Sequence, residues 1–426
     1  MSNSTSNPAG SSAEQSRASF FRQSGWLMIA NIGGGMLMWV VHLLAKAIPE
    51  GQYGNFGAFL AVAMVLPTIP IQMIMAQQTA RGMAQGKPGQ LSGVLRMMVL
   101  VTFAAWVVGA LVVWVGRATI LENLKLGDAT GIYVALPVIL LSLWQPILWG
   151  AMQGRQNFLW LGWSMLANGL GRLSVAALAV LVLHAYATGM VVGVLVGLVL
   201  SFLISVWQTR EIWRVPAEAF DWRGLMRQIT PLLMGFLGFQ ILFTADTIFV
   251  KSYFTQAQAD FYVSAGTMSR ALMWLVLPLA AVMFPRLVHS AARSEKSNLM
   301  GLVLGGTAIL SIAGAASLSV LGPFLTRLIY KESYVAVGSA VLPWYAFAMV
   351  PLAMGNVLLN NLLARPVIPR FFPSTVLLVA LGYMFALTRF HESLVMVLQV
   401  LGGCNLLFLL VCAWFTWGRR ETPQGS

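Results

Sequence analysis

Three ionisable residues stand within stretches apolar enough to cross a bilayer: Arg172 in LANGLGRLSVAALAV, Asp246 in PLLMGFLGFQILFTADTIFVKSYF, and Arg270 in the span that follows. A charge at the centre of a bilayer costs at least about 2.5 kcal/mol, so such a residue pairs, faces water or holds a ligand. The hairpin formed by the two later stretches turns near residue 257, with Asp246 11 residues before the turn and Arg270 13 after it. At about 1.5 Å per residue both lie roughly 16–20 Å from the turn, at similar depth. That spacing predicts an ion pair between adjacent helices. The pair is either a buried lock, or it borders a cavity in which Arg270 exchanges Asp246 for an anionic substrate group.

Arg172 lies about 21 Å from the cytoplasmic end of its span, counted at the helical rise. No acid in the N-terminal half sits at comparable depth. Water, a carbonyl, snorkelling or an anionic ligand could satisfy it. A guanidinium matches phosphate oxygens bidentately, so a phosphorylated substrate suits it. Asn31, Asn168, Gln240, Asn356, Asn360 and Asn361 add uncharged polar groups to the spans. Such groups commonly hydrogen-bond neighbouring helices. Those that share a chamber with the arginines would suit sugar hydroxyls, and Arg172, Arg270, Asn31 and Asn168 are the candidate substrate-binding set.

The elements that must hold these residues are membrane helices. The chain is 58% apolar and only 9% charged, with a mean hydropathy of +0.78. A soluble domain carries about 25% charged residues. At about 20 apolar residues per crossing, twelve spans are expected, near 25–45, 56–78, 94–116, 131–152, 158–183, 188–208, 231–254, 262–287, 299–322, 337–362, 372–389 and 393–417. With both termini on one side, that side holds 17 Lys and Arg residues against 7 on the other, Arg172 and Arg270 being left inside spans. The bias predicts a multi-pass membrane protein with both termini in the cytoplasm.

The expected organisation is a disordered tail over 1–24, a six-helix lobe over 25–209, an interfacial linker helix over 210–230, a second lobe over 231–417 and a tail over 418–426. The first apolar run has no small-residue cleavage site after it and reads as an uncleaved helix. The halves look like repeats related by an axis along the membrane normal. Pro137 and Pro146 match Pro343 and Pro351 in rank, Pro67 and Pro70 match Pro278 and Pro285, and Phe56 matches Tyr262.

Several chemistries are missing. The net charge of +13 comes from basic residues spread singly between spans, so nucleic acid is not a partner. There is no GxxxxGK[ST] loop for ATP and no HExxH. His42, His184, His289 and His391 read as interfacial or solvated residues. Cys404 and Cys412 have no metal or redox spacing and read as packing residues. No metal or cofactor is implied. A membrane glycan polymerase or ligase would carry catalytic charge in an extracytoplasmic loop, and these loops are short and nearly without acids.

The stretch DTIFVKSYFTQAQADFYVSAGTMSRALMWLVLPLAAVMFPRLVHSA (246–291) resembles the polysaccharide-transporter family, the oligosaccharide-lipid flippases of the multidrug/oligosaccharidyl-lipid/polysaccharide exporter superfamily. That family opens its C-terminal lobe with an Asp, then a G-x-Y turn, then a proline-ended helix before FPR. Asp246, Phe261-Tyr262 and Phe284-Pro285-Arg286 fill those places, with Asp260 where Gly is usual. LLAKAIPEGQYGNFGAFLAVAMVLP (43–67) resembles the family's first hairpin, with Lys46 where Arg is common, and LPWYAFAMVPLAMGNVLLNNLLAR (342–365) its tenth span. The resemblance implies an all-α membrane protein of two pseudo-symmetric six-helix lobes around a central cavity, working by alternating access. It implies a non-enzymatic flippase for undecaprenyl-pyrophosphate-linked oligosaccharide, with membrane lipids, a polysaccharide polymerase and other assembly enzymes as partners. The alternative within the superfamily is a cation-coupled multidrug antiporter with Asp246 as the ion site, against which two interior arginines argue by like-charge repulsion.

Overall fold

In the computed structural model, residues 25–127, 129–292, 299–365 and 367–418 are described, and for 276–292 and 299 the helix path alone. The expected terminal tails (apart from Gly418), Arg293 and Lys296, and the side chains of Pro278, Pro285 and Arg286 lie outside the described residues.

The chain is all-helical. The first half runs α1 (Gly25–Ala47, closing with a 3-10 turn over Val41–Ala47), α2 (Tyr53–Met64), α3 (Thr68–Ala84), α4 (Pro88–Val115), α5 (Arg117–Asn123), α6 (Thr130–Gly154), α7 (Phe158–Leu181) and α8 (Tyr186–Arg214). The second half runs α9 (Trp222–Tyr253), α10 (Gln256–Ala292), α11 (Leu299–Ile329), α12 (Ser333–Leu363), α13 (Phe372–Arg389) and α14 (Leu394–Ala413), which ends in a π turn, Trp414–Gly418. Among the described residues, eleven segments are long and apolar enough to cross a membrane, and α10, 37 residues long, is the twelfth helix of that length. The twelve expected spans correspond to these, with α2 and α3 sharing one; the short α5 was not expected. The helices group into two lobes, α1–α8 and α9–α14.

The second span breaks because Pro67 has no N–H to donate and its ring excludes the helical bond to the turn before it. Thr68 N–H turns back to Leu66 O at 2.8 Å, and the Met64 carbonyl left over accepts from Gln240 Nε2 of α9 at 2.7 Å. The counterpart α10 runs unbroken, so the repeats diverge here. Elsewhere they agree: Pro137 and Pro146 lie within α6, and Pro343 and Pro351 within α12.

The expected linker helix over 210–230 does not form. α8 continues to Arg214, and Val215 turns extended (ψ 135°) because Pro216 disfavours the helical conformation of the residue before it. The non-helical 215–221 lies along α4, where Ser92 Oγ donates to Val215 O at 2.8 Å and Glu218 N–H to Gly89 O at 3.0 Å. Asp221 then caps α9, its Oδ1 accepting Gly224 N–H at 2.9 Å. Lys251, one of the 7 cations on the side away from the termini, is fully buried near the end of α9.

Candidate functional site

A cavity of about 440 Å³ lies between the lobes, walled by α1, α2, α3, α6, α7 and α8 on one side and α9 and α10 on the other. Arg172, Asn168 and Arg270 line it; Asp246 stands behind Arg270.

In the C-terminal lobe, Arg270 Nη2 lies 2.9 Å from Asp246 Oδ1 and 3.1 Å from Oδ2. The same guanidinium donates to Thr247 Oγ1 at 2.8 Å and, through Nε, to Phe243 O at 2.9 Å. Asp246 is fully buried, and its Oδ2 also accepts from Tyr262 Oη at 2.9 Å and from Tyr345 Oη. Three elements, α9, α10 and α12, thus converge on one carboxylate. Its acceptor sites are filled and its charge is matched; removing one partner of a buried pair costs about 3–5 kcal/mol. Arg270 keeps one face toward the cavity, but its charge is spent inside the lobe.

In the N-terminal lobe the polar groups are left open. Among the described residues, Arg172, 7% exposed, has no carboxylate partner, and its Nε has no hydrogen-bond partner. Its guanidinium stands 5.8 Å from the centre of the Phe56 ring, a cation–π contact. Asn168, one turn before it on the same face of α7, is 6% exposed and lines the cavity. Gln145 Nε2 bonds Ser205 Oγ at 2.9 Å while its Oε1 is unpartnered. These residues are set by helix packing: α8 approaches α7 so closely that a Cβ on Gly197 would lie 2.4 Å from Asn168 O and 2.8 Å from its Oδ1. Glycine there lets α8 back the turn that carries Asn168 and Arg172.

Asn31 does not join the site. It shares the α1 face of Gly35, Met38 and His42 but lies one turn beyond the cavity's lining, exposed. Gln240 does line the cavity, as the cap of Met64 described above. Asn360 Nδ2 bonds Asn356 Oδ1 at 3.0 Å, within α12, and neither residue lines the cavity, nor does Asn361.

His42 is the residue the sequence reading missed. Far from solvated, it is 7% exposed, lines the cavity, and its Nδ1 lies 2.7 Å from Tyr53 Oη. Tyr53 Oη in turn lies 3.2 Å from Tyr330 Oη and 3.5 Å from Thr267 Oγ1 of the other lobe. The available signal was register: His42 follows Gly35 and Met38 at helical spacing on one face. Among the described residues no cluster of three or more His, Cys, Asp or Glu side chains could hold a metal.

Comparison with known proteins decides the family. The family model of the lipid II flippase MurJ matches residues 84–424. The chain belongs to the MurJ family. The solved structure described as lipid II flippase MurJ in an inward closed conformation superposes with a TM-score of 0.69 at 14% identity, covering 92% of this chain and 87% of that one. An inward-facing multidrug resistance MATE transporter of the MOP superfamily gives 0.69 at 12% identity, over 90% and 93% of the two chains. An outward-facing MATE transporter gives 0.58 at 14%, over 94% of each. No curated protein matches the chain. This MurJ-family protein is therefore a multi-pass membrane flippase or transporter of the MOP superfamily, the superfamily to which the sequence resemblance pointed.

Proposed function

We propose that this protein moves a polyprenyl-diphosphate-linked saccharide across the bacterial inner membrane by alternating access, taking the headgroup into the interlobe cavity and leaving the lipid tail in the bilayer. The observation that carries the reading is Arg172: a buried guanidinium facing the cavity with its Nε unpartnered. Burying an unpaired charge is costly unless something of opposite charge arrives. A diphosphate is such a group, and a guanidinium fork fits its oxygens. Asn168, the open Gln145 oxygen and the amide of Gln72 supply groups for sugar hydroxyls. The MurJ model's name makes lipid II the first substrate to try; an undecaprenyl-linked oligosaccharide for a surface polysaccharide shares the diphosphate and is the second. The Lys and Arg bias supports cytoplasmic termini, and enzymes that polymerise the delivered unit would be the partners.

A cation antiporter using Asp246 fits less well, because Arg270, Tyr262 and Tyr345 already occupy that carboxylate. The deciding experiment is depletion of the protein, followed by lipid extraction and mass spectrometry of polyprenyl-diphosphate-linked saccharides. Accumulation of a completed unit supports the reading and names the sugar. Unchanged intermediates with an intact envelope would remove it.

A further inference from the structure

Lys251 is a buried cation that the transport site does not use. It lies two residues before the end of α9, is fully buried, and its Nζ has no hydrogen-bond partner. No carboxylate stands within ion-pair distance of it among the described residues. Its burial strips it of water; beyond that, Asp260 attracts it and Lys125 repels it. A buried ammonium held this way is costly, and an arrangement of that kind persists where the surroundings over-determine it or where it is part of a switch.

Asp260, in the first turns of α10, is committed elsewhere. Its Oδ2 accepts Gly51 N–H and its Oδ1 accepts Gly54 N–H, each at 2.6 Å and both from the opposite lobe. Tyr334 Oη of its own lobe donates to Oδ2 at 3.0 Å. The approach needs glycine: Gly51 has φ +86°, and a Cβ on Gly54 would lie 2.8 Å from Asp260 Oδ1. The same end is joined by Lys125 Nζ donating to Phe254 O and by Gln256 Nε2 donating to Lys125 O at 2.9 Å.

We propose that Asp260 changes partners as the lobes separate at this end, leaving the Gly51 and Gly54 amides and pairing with Lys251. Both side chains sit on the α9–α10 hairpin, so the exchange takes side-chain rotation within one lobe. Tyr334 travels with Asp260 in either state. Lys125 withdraws with the N-terminal lobe and takes its repulsion away. Each state then satisfies the carboxylate with a different set of donors, which makes the closure two-state rather than graded. Without Lys251, parting the lobes would leave Asp260 with one hydroxyl. The inference rests on the lobe motion invoked above but not on any substrate.

The test uses the full-length chain with Cys404→Ala and Cys412→Ala, in lipid nanodiscs without substrate. Spin labels at the exposed positions Asn123 and Ala257 report the separation of the lobes by double electron–electron resonance. Lys251→Met keeps the apolar stem and removes the charge; Lys251→Gln is a second neutral variant. Both lower the ratio of separated to joined populations by about tenfold, a usual size for coupled equilibria. Gly54→Ala, which crowds the closed state, raises it. In an Asp260→Asn background the Lys251 effect shrinks to less than about twofold, as loss of a direct coupling requires. Unchanged populations in both Lys251 variants overturn the exchange, as does a Lys251 effect of equal size with Asn at 260. A single fixed separation in every protein, wild type included, overturns the lobe motion itself and is distinguishable from those results.

Discussion

Arg270 Nη2 sits 2.9 Å from Asp246 Oδ1, while the second interior arginine, Arg172, has no carboxylate partner among the described residues. The two interior cations are therefore different objects: one is neutralised in its own lobe, the other faces the cavity without a carboxylate among the described residues. The asymmetry divides stability from binding, and each half can be measured separately.

Asp246→Asn leaves Arg270 buried without its counter-ion. Unfolding should become easier by about 3–5 kcal/mol, as for a broken buried pair. Thermal melting of the solubilised protein checks this. Tyr345→Phe, which removes one donor to the same carboxylate, should lower stability by about 1–3 kcal/mol. The reciprocal exchange Asp246→Arg with Arg270→Asp should recover part of the melting temperature, and only part, since Tyr262 and Tyr345 would then face a cation. Full recovery would mean that the tyrosines contribute nothing.

Arg172→Ala should act the other way round. Removing a desolvated, unmatched charge leaves the melting temperature and membrane abundance equal to wild type or higher. Transport of a labelled polyprenyl-diphosphate saccharide in proteoliposomes should fall about 10- to 100-fold, the size of a lost charge-assisted hydrogen bond. Loss of abundance in step with transport would make Arg172 a structural residue.

Gly197→Ala tests the backing of the site. Its new Cβ would lie 2.4 Å from Asn168 O, so α8 must move away from the turn of α7 that bears Asn168 and Arg172. Overpacking of this kind costs about 1–3 kcal/mol. Transport should fall further than the melting shift alone explains, which a comparison with an equally destabilised variant such as Tyr345→Phe would show.

Gln240→Leu tests the broken span. It orphans Met64 O at the Pro67 break, a loss of about 1–3 kcal/mol for an unsatisfied buried acceptor. Hydrogen exchange should then quicken at residues 65–69 while α6 and α8 keep their protection. Unchanged exchange there would mean that water already serves that carbonyl.

Much of this protein was legible in its composition. Apolar stretches of span length have one stable conformation in lipid, a helix that satisfies its own backbone. That is why span number, the two-lobe division and the shared depth of Asp246 and Arg270 followed from counting residues. Local rules went further than they were taken: Pro216, read as a breaker, excludes the linker helix, and Pro67 accounts for the split of the second span. What counting could not give was azimuth and partnership across the bundle. Asn31 and His42 both lie on the cavity-facing side of α1, yet about three turns separate them, and the first lies exposed while the second sits against Tyr53. Asp260 looked like a departure at a turn until the opposite lobe brought two amides to its carboxylate. The Asp260 contacts join residues 206 and 209 positions apart, where no periodicity connects them, so only the packing of the two lobes could decide them.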